Sequence, residues 1–362
     1  MAESTDLLTP AGSNQNKAQK AALKNLWETR RLFGTDPVET LPVHSSSSRL
    51  LGTVTTVSGP ALIEPYWGYV VTKSGRWIED SLRTNWPAQT PPGRFSLPWA
   101  KAFLRARNAG PPLVQDFDEV ISLRDLYEWN YFHFHFDVLG RLGLLATAGI
   151  REDIPIVLGR YALELPFVRA MLATGNLSER RWIFQDRFYV RANKIHYCQT
   201  EQTFTERAGY FLDSLKLEEN APVADRRVFL NRTTAEARRI ANIDAVRDVL
   251  RPAGFHEVDA GQMPYGEQVR LFRATRYLVA IHGAGLTNVI YRRGQPLSIL
   301  ELYGGFNSFD FRTIASALGW PWAGLAGVPT GGAPGQADFT VDIPALKEAV
   351  SSLLDGADDG KA

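Results

Sequence analysis

Tyr277-Leu-Val-Ala-Ile-His-Gly-Ala-Gly-Leu-Thr-Asn288 carries an apolar strand into a glycine-dense turn and on into a short helical pattern. A strand that ends in such a turn and opens a helix is half of a βαβ unit. The turn leaves backbone N–H groups available at the helix start, where the helix dipole favours an anion. Gly283 and Gly285 remove the Cβ atoms that would keep a phosphate away. The stretch is equally readable as a plain tight turn between strand and helix. It is not the dinucleotide fingerprint G-x-G-x-x-G, because the last position is Asn288.

The pattern repeats on both sides of that turn. Upstream, strands are expected at 227–230 and 255–258. Helices are expected at 234–250, with Thr234 as N-cap, and at 266–274. Downstream come a short helix at 286–291, a strand at 297–302, helices at 309–318 and 343–354, and a Gly/Pro-rich stretch at 324–335 between those two helices. Strands alternating with helices at this spacing predict a parallel, doubly wound sheet whose ligands bind at the carboxyl ends of the strands.

The N-terminal half is less regular. Strands are expected at 51–57, at 69–78 around a turn at Lys73-Ser74-Gly75, and at 154–158, 182–185 and 188–197. Helices are expected at 98–107, 129–147, 163–173 and 203–217. Residues 1–48 are polar, with one helical stretch at 18–33, and are expected to form a tail. Pro222 and its charged neighbours suggest a boundary near residue 220. The expected division is a tail at 1–48, domains at 49–220 and 221–340, and a closing helix and tail at 341–362.

Composition narrows the function. The chain has 362 residues, 44% of them apolar and 22% charged, which suits a globular protein with a real core. Forty basic and 39 acidic side chains leave a net charge of +1, too little for a field that gathers nucleic acid. One cysteine, Cys198, provides neither a disulfide framework nor a cysteine zinc site. The first residues have no apolar leader pattern, which predicts a cytoplasmic protein.

Three side chains converge on the glycine turn in this reading. His282 can meet a phosphate or a sugar hydroxyl, or be a neutral strand-end histidine. Arg232, just past the strand at 227–230, offers a planar guanidinium suited to a diphosphate. Glu301, at the end of the strand at 297–302, can accept both hydroxyls of a ribose. Arg238 and Arg239 read equally well as a solvated helical face. HGAG is similar to an esterase oxyanion loop, but no G-x-S-x-G elbow accompanies it.

A second constellation is Asn130-Tyr-Phe-His-Phe-His-Phe-Asp-Val-Leu-Gly-Arg-Leu142. On a helix His133, Asp137 and Arg141 share one face. Asp137 can fix the His133 tautomer and Arg141 can keep Asp137 ionised, which makes His133 a candidate general base. The alternative is a structural Asp–Arg pair. His133, His135 and Asp137 also resemble the zinc pattern of metallo-hydrolases. On a helix, however, the two histidines diverge by about 200°, so only an extended segment could bring them to one metal.

Together these residues carry a resemblance to glycosyltransferase family 61. The family's pattern corresponds here to Arg232, Arg239, Asn242, Gly254-Phe255, Glu267-Gln268, the run from His282 to Asn288, and Glu301-Leu302. Its N-terminal segment corresponds to Asn130, His133, Asp137 and Arg141. Ile243 stands where the family usually has an acid, and His135 where it usually has an apolar residue.

The resemblance implies a GT-B-like α/β architecture, two Rossmann-like domains facing across a cleft, with the last helix often returning to the first domain. It implies inverting transfer of a sugar from a nucleotide donor, usually UDP-linked, to a hydroxyl of a glycan, glycolipid or protein, as in surface-polysaccharide synthesis at the inner membrane's face. His133 and Asp137 would be catalytic. Arg232, Arg239, His282, Gly283, Ala284, Gly285, Leu286, Thr287, Asn288 and Glu301 would hold the donor. No resident cofactor or metal would be required. A noncatalytic nucleotide-sugar-binding module is the further alternative.

Overall fold

The computed structural model describes residues 38–65, 67–72, 77–78, 81, 113–217, 225–305, 308–332 and 335–355. The helices expected at 18–33 and 98–107, the turn at 73–75 and the boundary segment 218–224 lie outside these residues. The chain is α/β and divides into two compact units. The first comprises the described residues of Met1–Glu128 with Arg141–Glu164 and Glu179–Gln202. The second comprises Trp129–Gly140, Leu165–Ser178 and the described residues of Thr203–Ala362.

The first unit is built on an eight-stranded mixed sheet. Its strands are β1 (Val38–His44), β2 (Leu50–Ile63), β3 (Val70–Val71), β4 (Trp77–Ile78), β5 (Leu113–Ser122), β6 (Ile156–Gly159), β7 (Trp182–Gln185) and β8 (Phe188–Thr200). The order is β4-β3-β2-β8-β5-β6-β7, with β1 on β2. Strands β8, β5, β6 and β7 are mutually parallel, whereas β1 to β4 and the β2–β8 pair are antiparallel. This sheet is therefore not the wholly parallel sheet of a Rossmann-like domain. Residues 38–44, expected in the polar tail, form an edge strand. Pro42 and four consecutive exposed residues, 39–42, hide it from a hydropathy reading.

The second unit carries the five-stranded sheet that the glycine turn announced. Its strands are β9 (Arg226–Leu230), β10 (His256–Val258), β11 (Thr275–Ile281), β12 (Ser298–Tyr303) and β13 (Trp322–Ala326). All are parallel, in the order β10-β9-β11-β12-β13. Central strands covered on both faces must be apolar throughout. Accordingly Val228, Phe229, Leu278, Val279, Ile299 and Leu300 are all buried. The chain moves from β9 to β10 on one side and to β11 on the other, so the topological switch lies between β9 and β11. That is where open α/β sheets hold ligands.

The closing helix, Ile343–Asp355, packs on this same sheet. Leu346, Val350 and Leu353 join Phe229, Val279 and Leu302 in one core with the fully buried Phe339. Burying a Phe side chain contributes about 1.5–3 kcal/mol. The helix starts where the Asp342 carboxylate accepts the Ala345 N–H at 2.8 Å. This helix therefore packs within its own unit.

The helix expected at 234–250 begins only at Ile243. Residues 231–242 form a fastened loop instead. Asp259 accepts Thr233 Oγ1 at 2.7 Å, and Thr234 N and Oγ1 at 3.0 and 2.9 Å, so Thr234 is not a helix cap. Arg238 takes a left-handed φ of 61°. Residues 239–242 then run alongside 338–341: Phe339 N donates to Arg239 O at 2.9 Å and Ala241 N to Phe339 O at 2.7 Å. Asn242 closes the join through Val341, accepting its N–H at 2.9 Å and donating to its carbonyl at 2.8 Å.

Candidate active site

The switch point brings Arg232, from the end of β9, onto the turn after β11. Arg232 Nη1 donates to the His282 carbonyl at 3.1 Å. A Cβ on Gly283 would lie 1.9 Å from that same nitrogen. Gly283 is extended, at φ 162°, so it is room for the Arg232 guanidinium, not conformation, that favours glycine there. Burial and the neighbouring Arg238 charge hold the Arg232 guanidinium down at about 10, with Asp259 opposing the shift. Arg232 Nε has no hydrogen-bond partner among the described residues. A desolvated guanidinium with a spare donor and a like-charged neighbour gains most from an anion.

The turn opens a 3-10 helix, Ala284–Arg292, whose start carries no side-chain cap. Ala284 and Gly285 are partly exposed, while Gly283, Leu286, Thr287 and Asn288 are buried. The six positions therefore separate. The first three present backbone to the site, and Leu286 belongs to the core. Thr287 is fully buried, with its hydroxyl unpaired among the described residues.

Asn288 spends its side chain on structure. Its Oδ1 accepts Tyr131 O–H at 2.6 Å, and its Nδ2 donates to Gln268 Oε1 and Gly285 O, each at 3.0 Å. Gln268 passes the chain on to Met263 O at 2.9 Å. These bonds brace the turn.

Glu301 is likewise occupied. One oxygen meets His282 Nδ1 at 2.5 Å and the other accepts Trp322 Nε1–H at 2.9 Å. The carboxylate is 1% exposed. It fixes the His282 ring, with Nδ1 as the protonated nitrogen. The strand-end position suggested an open carboxylate; Trp322 of the adjacent β13 closes over it. Arg239 also leaves the site, gripping Asp338 through Nε and Nη2 at 3.1 and 2.9 Å.

The second constellation belongs to the same unit as the glycine turn. A short α-helix, Tyr131–His133, starts where Asn130 Oδ1 accepts the N–H groups of Phe132 and His133. It runs into a π-helix, Phe134–Val138, and a 3-10 turn, Leu139–Arg141. The regular helix expected at 129–147 is thus interrupted, as is common at functional sites. His133 Nδ1 meets Asp137 Oδ2 at 2.6 Å. The other Asp137 oxygen accepts Arg207 Nη1–H at 2.8 Å.

Arg207 takes the part expected of Arg141, which instead donates to the carbonyls of Leu123, at 2.5 Å, and Arg124, at 3.1 Å. Arg207 comes from the helix Phe204–Ser214, set by a Thr203/Glu206 capping box. Gly140 lets it approach, since a Cβ there would lie 2.7 Å from Arg207 Cβ.

Two histidines are therefore each held by a carboxylate, and aromatic rings connect them. Phe132 lies 5.4 Å from His133 and 5.7 Å from Phe311, and Phe311 lies 5.7 Å from His282, centroid to centroid. His133 is the more open of the two, with its side chain 20% exposed against 5% for His282.

His135 has a different task. Its Nδ1 donates to Tyr131 O at 2.7 Å, so its Nε2 accepts Tyr291 O–H at 2.8 Å, and Tyr291 in turn accepts Tyr265 O–H at 3.0 Å. Complete burial holds its pKa down at about 4, so the ring is neutral near pH 7. Both nitrogens are committed and the segment is helical, which keeps His135 out of any metal set with His133. Among the described residues no three His, Cys, Asp or Glu side chains gather as a metal site.

Several of these participants gave no signal in the sequence. Arg207 and Trp322 lie far along the chain from the groups they hold, and Phe132 and Phe311 read as ordinary core. Only the Thr203-x-x-Glu206 cap hinted that the helix carrying Arg207 was firmly placed.

The sequence itself points the same way. Residues 131–296 match the family model described as Glycosyltransferase 61. That span takes in His133, Asp137, Arg207, Arg232 and the glycine turn, and stops short of Glu301. A comparison with curated proteins found no match.

Proposed function

We propose, from the premise that this chain is a family 61 glycosyltransferase, that it transfers a sugar with inversion from a nucleoside-diphosphate donor, UDP-linked in our reading, to a hydroxyl acceptor. One observation carries the mechanism. The second unit holds two carboxylate-bound histidines beside an arginine-topped glycine turn, and the inner carboxylates are fully engaged.

A retaining enzyme working through a covalent intermediate needs a free carboxylate to attack the anomeric carbon. Asp137 and Glu301 each have both oxygens bonded and are 1% exposed. The arrangement favours a single displacement. His133, with Nδ1 protonated by its bond to Asp137, takes the acceptor's hydroxyl proton on Nε2. The acceptor oxygen bonds to the anomeric carbon as the carbon–oxygen bond to the diphosphate breaks, and its electron pair goes to the departing phosphate. Arg232 and the backbone start of the helix Ala284–Arg292 receive that charge. His282, set by Glu301, lies in the same reach and can hydrogen-bond the phosphate or the sugar.

In this proposal no resident metal is needed, because the guanidinium and the amides do the neutralising. A GT-B arrangement of the whole chain belongs to the same proposal, supported by the Rossmann-like sheet of the second unit. The acceptor is a glycan, glycolipid or protein hydroxyl, with surface polysaccharide as the proposed context.

The test is donor hydrolysis or transfer by the purified chain, read as nucleotide release from UDP-, GDP-, dTDP- and CMP-sugars in the presence of a chelator. Release of UDP above the uncatalysed rate is expected. Release from CMP-sugars alone would overturn the diphosphate reading.

A further inference from the structure

The segment that carries His133 is joined, along another of its faces, to the helix that opens at the glycine turn. Tyr131 and His135 lie four residues apart on adjacent turns, with ring centroids 4.3 Å apart. Asn288 and Tyr291 lie three apart on the 3-10 helix Ala284–Arg292, and a period of three puts them on one face. Two hydrogen bonds connect the faces. Tyr131 O–H donates to Asn288 Oδ1 at 2.6 Å, and Tyr291 O–H donates to His135 Nε2 at 2.8 Å. One turn earlier on the same face, the Gly285 carbonyl accepts Asn288 Nδ2–H at 3.0 Å, so the row reaches the glycine turn itself.

Packing alone does not ask for such a join. His135, Asn288 and Tyr291 are all buried. Apolar side chains of similar shape can fill such a space at little cost in stability, because desolvation offsets most of what a buried hydrogen bond returns. What the polar pairs add is direction, since each bond holds at one distance and one angle whereas an apolar contact tolerates sliding. His135 commits both ring nitrogens, one to the Tyr131 carbonyl and one to Tyr291, and so ties the start of its own segment to the 3-10 helix. His133 shares that backbone between Tyr131 and His135. A slip of the joined faces would therefore move the His133 ring relative to Gly283 and the Arg232 guanidinium held there.

We propose that the Tyr131–Asn288 and Tyr291–His135 bonds form a latch that fixes the distance between the His133 ring and the glycine turn, which makes Tyr131 and Tyr291 positioning residues for sugar transfer. The inference rests on the reading of His133 as base and of the glycine turn as donor site. Neither tyrosine touches the substrate; each acts through the two elements it joins. A single displacement needs the base, the acceptor oxygen and the departing phosphate in register, and a misplacement of about 1 Å can cost about 10²-fold in rate.

Tyr265→Phe supplies the control. The Tyr265 hydroxyl donates to Tyr291 at 3.0 Å in the same buried network, but it comes from the helix Tyr265–Arg273, and its loss opens neither latch bond. The experiment is steady-state nucleotide release from a UDP-sugar, with water as acceptor, by the wild-type chain and by Tyr131→Phe, Tyr291→Phe, Tyr265→Phe and His133→Ala. Thermal melts set an assay temperature well below the lowest melting point. Tyr131→Phe and Tyr291→Phe are each expected to lower kcat about 10–10²-fold with donor KM within about threefold. The acid limb of their kcat/KM profile against pH should stay where the wild type has it, since the His133–Asp137–Arg207 relay is intact. Tyr265→Phe should keep kcat within about twofold even where it melts lower. The two bonds are opened in separate variants, so either folded variant decides. Wild-type kcat in Tyr131→Phe or Tyr291→Phe, or an equal loss in Tyr265→Phe, would overturn the inference, and an impaired His133→Ala would leave the base reading standing. Full release by His133→Ala, or none by the wild type, would overturn the underlying readings and this inference with them.

Discussion

His133→Ala is expected to lower kcat by about 10²–10⁴-fold while leaving nucleotide Kd unchanged, the loss typical of removing a general base. The side chain sits at the open end of an ordered relay. Arg207 holds Asp137 at 2.8 Å, Asp137 holds His133 at 2.6 Å, and Asp137 itself is 1% exposed. Removing the imidazole truncates a partly exposed group and leaves Asp137 still paired with Arg207, so the fold should survive. Asp137→Asn is the poorer test, since it strands a mostly buried Arg207 and would confuse catalysis with stability. The rival base is His282. If His133→Ala keeps wild-type turnover while His282→Ala loses it, the two roles must be exchanged.

Arg232→Ala is the second large effect, with kcat expected to fall about 10²–10³-fold. The guanidinium lies against Gly283 at the point where β9 and β11 diverge, with its Nε unpaired among the described residues. Charge developing on the departing phosphate is what that donor would meet. Arg232→Lys should recover only part of the loss. An ammonium keeps the charge but cannot hold the His282 carbonyl and fork onto a phosphate together. Steady-state kinetics with a chelator present reads this directly. Wild-type kcat for Arg232→Ala would remove the residue from the mechanism.

Much of the second unit was legible because its central strands are buried on both faces and so had to be apolar runs broken by turn residues. The glycine turn at 283–285 stood out for the same reason. His133 and Asp137 were legible because a four-residue spacing is a local rule. The partner of Asp137 was not, since Arg207 lies 70 residues away and only tertiary packing selects it over Arg141. The segment 234–242 reads as helix by composition but is drawn off its course by two side chains it could not reveal, Asp259 and Asp338. Glu301 misled in a similar way. A strand-end acid suggests solvent and ligand, and the Trp322 that closes it belongs to the next strand. The π-helix at Phe134–Val138 has no sequence signature to read.

The match of residues 131–296 to the family 61 model indicates a glycosyltransferase; our proposal adds that one base and one cationic cradle perform a single displacement. The stereochemistry of the first product measures that claim most directly. Proton NMR of the freshly formed glycoside should show the anomeric configuration opposite to that of the donor. A product with the donor's configuration would rule out an in-line single displacement with His133 as base, and would contradict the account.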